Sequence, residues 1–125
     1  MYVSGDIDHN IGVFASAILA KPTISLPAKY AFVYTDVMPY KGMMEKWSEV
    51  TGRRSTYVQV DRKTYEGLWG TEYGTELALM FEAMEKQPDW SNGHGDDVVG
   101  GKALGIPDSD LLNLKASLEK DKDKL

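Results

Sequence analysis

Apolar residues recur at helical spacing near the start of the chain, at Ile7, Ile11, Phe14, Ile18 and Leu19. Asp6 or Asp8 stands where a helix cap belongs, and Lys21-Pro22 supplies a cation and then a breaker, so one amphipathic helix is predicted between them. Thr23–Ala28, with prolines at its edges, reads as a loop. It leads into Tyr30–Tyr34, an aromatic and β-branched run that predicts a short buried strand. Helical spacing returns over Pro39–Thr51, with Met43, Met44, Trp47 and Val50 on one side and Glu45, Lys46 and Glu49 on the other, and Gly52 as the left-handed stop. In Ser55–Val60 the residues alternate, Thr56, Val58 and Val60 against Tyr57 and Gln59, which is the period of a half-buried strand. The three segments together predict a right-handed parallel strand–helix–strand unit of about thirty residues.

Asp61 is a candidate cap for a helix carrying Tyr65, Leu68 and Trp69, and Gly70 and Gly74 bound a predicted turn. A further helix follows, whose Leu77, Met80, Phe81 and Met84 have the spacing of core packing. Pro88–Pro107 is rich in Gly, Asp and Asn and has little periodicity, so it reads as a solvated surface loop or a lid. A last helix is expected from about Asp108 to Glu119, followed by a frayed tail over 120–125. The fold class is α/β: a short parallel strand–helix–strand unit with flanking helices, in one domain over 1–125. Two strands expose full edges and too little face, so the sheet needs completion by a missing N-terminal half or by a second copy in a homodimer.

At 125 residues there is room for one domain, and 42% hydrophobic with 26% charged residues is the balance of an ordinary globular protein. The net charge of -5 gives no electrostatic footprint for nucleic acid. With no cysteine, disulfides, thiolate nucleophiles and sulfur-rich zinc sites are excluded. The apolar stretch Ile11–Ala20 is too short to span a bilayer, and its upstream flank carries Asp6 and Asp8 where a signal peptide carries cations. A cytoplasmic protein without a membrane partner is expected.

Three signatures, in order, resemble the C-terminal part of NmrA-like proteins, the atypical short-chain dehydrogenases that include isoflavone-reductase-like enzymes and fungal nitrogen-metabolite regulators. They are Gly5-Asp6-Ile7-Asp8-His9-Asn10-Ile11-Gly12-Val13-Phe14 with its Leu19-Ala20-Lys21-Pro22 ending; Met44–Gly52 closing on Thr51-Gly52; and Tyr57-Val58-Gln59-Val60 followed by Tyr65-Glu66. The resemblance covers nearly the whole chain. It implies that the first helix start lies beside the cofactor and substrate cleft, which makes His9 and Asn10 pocket-lining candidates, and that the third signature shapes the substrate pocket. In such proteins NADP is held by a glycine-rich turn after the first strand. Here the best glycine cluster, Gly93 to Gly105, misses the phosphate-loop spacing by one residue and carries Asp96-Asp97, which repel phosphate, so no cofactor is expected in this chain. The family's catalytic lysine or tyrosine lies upstream of the region matched.

Asp8 and His9 are the catalytic candidates, because an imidazole beside carboxylates at a helix start titrates near neutrality; capping is the commoner use of such aspartates. His94 with Asp96 and Asp97 makes a poor metal site, lacking converging ligands. Tyr40, Tyr57, Tyr65, Trp69 and Tyr73 form a dense aromatic supply that lines a small-molecule pocket or builds core, and Tyr40, Tyr57, Tyr65 and Trp69 are the substrate-binding candidates together with Asn10. Met38, Met43, Met44, Met80 and Met84 give an adaptable interior, and Arg53-Arg54 reads as an exposed turn. Three functions are expected in competition. One is the small-molecule-binding part of an NAD(P)-dependent oxidoreductase or cofactor-sensing regulator, acting on a hydrophobic metabolite. The second is an autonomous cofactor-independent isomerase or cyclase using His9 or a carboxylate. The third is an interaction module that pairs through its sheet edge.

Overall fold

The computed structural model describes the backbone of residues 1–125 and every side chain except those of Trp90 and Asn92. It is an α/β arrangement, mostly helical, with two separate two-stranded sheets. In chain order the elements are β1 (Tyr2–Val3), α1 (Ile7–Ala20), α2 (Pro22–Ser25), β2 (Tyr30–Phe32), β3 (Asp36–Val37), α3 (Tyr40–Thr51), α4 (Arg62–Trp69), α5 (Thr71–Lys86), β4 (Val98–Gly100) and α6 (Leu114–Lys120). β1 pairs antiparallel with β3, and β2 pairs parallel with β4, Ala31 opposite Val99. No helix is long and apolar enough to cross a membrane among the described residues.

Local chemistry explains most of the boundaries. Asp6 caps α1 by accepting from the His9 amide at 2.9 Å, and Asp61 caps α4 from the Thr64 amide at 2.8 Å. Gly52 ends α3 in the left-handed conformation with φ 72°, which costs a residue without a side chain nothing. Only Gly70 separates α4 from α5; Gly74, expected in the turn, lies inside α5 where a Cβ would sit 2.8 Å from the Glu66 Cα. The bare backbone at Gly74 is what lets the two helices close on each other.

The main core lies between α1 and the β2–β4 pair. Phe14, Val99, Leu104 and Ile106 are buried there, with Ile18, Ala31 and Val33 packed around them. Three of those four buried residues come from the stretch expected to be a surface loop. Pro88–Pro107 is solvated only in part: residues 93–97 are exposed, but the stretch also contains β4, and Leu104 within it is 0% exposed. Its glycines let the chain run close under α1, since a Cβ on Gly101 would meet the Phe14 ring at 3.3 Å.

The expected parallel unit is also corrected. Ser55–Val60 belongs to no helix or sheet; β4 takes the place beside β2 that the alternation assigned to Ser55–Val60. Val58 is 68% exposed, because alternation specifies a strand's faces without supplying a partner for its backbone. The run Tyr30–Tyr34 keeps its strand only through Phe32, part of the Thr23–Ala28 loop forms α2, and the last helix begins at Leu114 after a short turn of tight helix at Asp108–Asp110. In the tail, Lys120 bonds to Asp6 and Arg53 donates to the backbone oxygen of Leu125.

Candidate functional site

α4, α5, the start of α3 and the segment before α4 line an open aromatic cavity of about 1230 Å³, somewhat larger than the usual drug-sized pocket. Phe81 on α5 is its hinge: the Tyr40 and Tyr65 rings meet it edge-on, at centroid distances of 5.5 and 5.7 Å and interplanar angles of 89°. Edge-to-face contacts of this kind place a ring's positive rim on its neighbour's negative face. Tyr57 and Val60 contribute from the segment before α4, Met80 and Met84 from α5, and Tyr2 and Phe32 from the strand side. The Tyr2 and Phe32 rings meet edge-on with centroids 4.7 Å apart, extending the aromatic surface toward the sheet.

The cavity's polar groups are the phenols of Tyr40, Tyr57 and Tyr65 and, among charged side chains, Lys41, Arg62, Asp61, Glu82 and Glu85. Burial, then the nearby Tyr57 and Tyr65 hydroxyls, push the Tyr40 phenol above its usual range, so it stays protonated and able to donate a hydrogen bond. The hydroxyls of Tyr40, Tyr57 and Tyr65 make no hydrogen bond to another described residue, which leaves their hydrogen-bonding capacity to whatever fills the cavity. The wall thus joins apolar faces with a few polar points.

Of the residues singled out from sequence, Tyr40, Tyr57 and Tyr65 converge on this cavity. Trp69 lies one turn beyond, its ring 6.3 Å from that of Tyr65 and its side chain 59% exposed, outside the lining. Asp8, His9 and Asn10 sit elsewhere, on α1 against the 110–112 segment. Asn10 is 0% exposed; its Nδ2 donates to the carbonyls of Ser4 at 2.7 Å and Leu112 at 2.8 Å, and its Oδ1 accepts from the Leu112 amide at 2.9 Å. Those bonds make Asn10 a latch between the first loop and the C-terminal segment and leave no donor for a substrate. His9 Nε2 donates to the Asp110 carbonyl at 2.9 Å, and Asp8 is exposed. Gly5 allows the same close approach, since a Cβ there would lie 2.0 Å from the Leu112 oxygen.

Phe81, Met80 and Met84 were assigned by spacing to the core, and Tyr2 to nothing. Their sequence signal was amphipathic periodicity, which marks the face a helix turns inward but not whether that face meets side chains or a void. Met80 and Met84 are in fact exposed to the cavity.

The residues present do not fit a dinucleotide. Gly100 lies in β4, Gly101 faces the Phe14 ring, and Gly105 with φ 62° is closed off by Lys21, whose Nζ would lie 2.5 Å from an added Cβ. Gly101 and Gly105 thus serve close packing of the chain on itself, and Asp96 and Asp97 stand just upstream. Among the described residues no three His, Cys, Asp or Glu side chains are grouped to hold a metal ion. No family model matches the chain, and neither a curated protein nor a solved structure does.

Proposed function

We propose that this chain is the small-molecule-binding lobe of an NmrA-like NAD(P)-dependent oxidoreductase or cofactor-sensing regulator of the cytoplasm, with nucleotide binding left to a separate half. The aromatic cavity takes the hydrophobic metabolite. One observation carries the reading: the residues of the third signature, Tyr57–Val60 and Tyr65, are lining residues of the aromatic cavity. Flat apolar ligands gain from stacking and from burial at about 25 cal/mol per Å² of apolar surface, and the three phenols orient any polar substituent.

The neutral fluorophore N-phenyl-1-naphthylamine tests it. Saturable fluorescence enhancement is expected with the full chain, and Phe81→Ala weakens it at least fivefold while circular dichroism stays unchanged. Equal enhancement by the wild type and Phe81→Ala, or none by either, removes the cavity from the account.

A second reading, an interaction module, rests on Thr56–Val60. This β-branched and aromatic run is exposed, lies outside every helix and strand and has no backbone hydrogen bonds to other described residues, which leaves it free to add a strand to a partner's sheet. Val58→Pro abolishes association under this reading and leaves it untouched otherwise. For the isomerase or cyclase alternative, His9 and Asp8 do not line the cavity, and the carboxylates that do are Asp61, Glu82 and Glu85.

A further inference from the structure

A second depression opens where α3 runs into the segment before α4. It has a volume of about 640 Å³ and is lined by Lys41, Arg53 and Arg54, by the hydroxyl side chains of Ser48, Ser55 and Thr56, and by one carboxylate, Glu45. In a protein of net charge -5 this is a local reversal of sign. The cations differ in availability. Arg53 is engaged by the Leu125 oxygen, and Lys41 stands 3.8 Å from Glu45, both side chains being mostly exposed and the pair correspondingly weak. Arg54 has no ion-pair or hydrogen-bond partner among the described residues. Ser48 and Ser55 bond to each other at 2.5 Å, and Ser55 also to the Met44 carbonyl, which fixes the turn that presents Arg54.

The two depressions share a wall. Lys41 and Tyr57 line both the aromatic cavity and this basic one. A ligand lying over Tyr57 with its apolar body among Tyr40, Tyr65 and Phe81 therefore has a cationic neighbourhood at one end. We propose that the ligand of this lobe is a hydrophobic organic anion, a flat apolar body bearing a carboxylate, sulfonate or phosphate group that Arg54 and Lys41 bind at the rim. The proposal rests on the small-molecule reading above and specifies its ligand class. An arginine fork matches the planar oxygens of such groups, and the Tyr57 hydroxyl supplies a further donor at the shared wall.

Two probes with the same apolar body separate this proposal from its foundation. 8-Anilinonaphthalene-1-sulfonate carries a sulfonate that N-phenyl-1-naphthylamine lacks. The sulfonate probe is expected to bind the full chain about tenfold tighter, equivalent to about 1.4 kcal/mol, with the advantage shrinking as salt rises. Arg54→Gln brings its affinity down to that of the neutral probe and leaves the neutral probe's own affinity unchanged, while Arg54→Lys retains most of the difference. Equal affinity of the two probes, or a sulfonate advantage that survives Arg54→Gln, overturns the proposal with the cavity reading intact. Failure of both probes to bind overturns the two together.

Discussion

Single residues carry tests that do not depend on function. Gly74 and Gly12 are both helical glycines with opposite surroundings: a Cβ at Gly74 meets the Glu66 backbone at 2.8 Å, whereas nothing lies within 4 Å of one at Gly12. Gly74→Ala is expected to destabilise by about 1–3 kcal/mol through overpacking, and Gly12→Ala to stabilise by about 0.5–1 kcal/mol through the lower chain entropy of alanine. Urea unfolding of the two variants measures both signs. Asp6 supplies a pH test. Its side chain bonds to Lys120 at 2.5 Å and to the His9 amide, and these, in that order, hold its carboxyl below the usual range. A depressed carboxyl contributes stability above the unfolded value of about 3.9 and loses it as pH falls through the folded value. Acid unfolding of Asp6→Asn should therefore lack the part of the pH dependence below about pH 4 that the wild type shows. Identical acid limbs would mean that the ion pair contributes nothing. The Asp6 cap was legible in sequence, but Lys120 as its partner was not, because a contact spanning 114 positions leaves no local pattern.

Elements were legible where the signal is local, and illegible where it depends on pairing. α1, α3 and α4 start and stop near their predicted caps because a carboxylate, a proline or a glycine sets each end within one turn. Strand partners are a different matter. Ser55–Val60 has the stronger alternation, yet Val98–Gly100 has the place beside β2, since pairing is won by what packs beneath, here Phe14 under Val99 and Leu104. Of the glycines that masked this stretch as a loop, Gly101 and Gly105 are the ones whose surroundings leave no room for a side chain. Leu104→Ala is accordingly expected to cost about 2–5 kcal/mol, the range for a fully buried leucine. A thermal shift typical of surface positions would restore the loop reading. α1 shows the complementary error: its apolar face is wider than the core it meets, so Phe14 is buried while Ile7, Ile11 and Leu19 are exposed, Leu19 by 82%. The candidate site was half legible. Tyr40, Tyr57 and Tyr65 were named for their aromatic density, but Phe81, which joins two of them, was indistinguishable by spacing from an ordinary core residue.

At the scale of the molecule the surface is too large for its mass. A compact monomer of 13.9 kDa exposes about 6,700 Å², and this chain exposes 8925 Å², an excess of about 2,200 Å². That is the size of an extensive obligate interface, and it includes the apolar flank of α1. We propose that a partner surface covers part of it. In sedimentation velocity the chain alone is expected to self-associate with rising concentration; a monomer at every concentration would show that the open surface is tolerated. The central claim remains that the cavity between α3, α4 and α5 binds an apolar ligand, and amide chemical shifts of the labelled chain titrated with N-phenyl-1-naphthylamine test it most directly. The account predicts saturable shifts at Tyr40, Tyr57–Val60, Tyr65 and Phe81 with α1 undisturbed. Shifts concentrated on Ile7, Ile11 and Leu19, with the aromatic cluster silent, would contradict it.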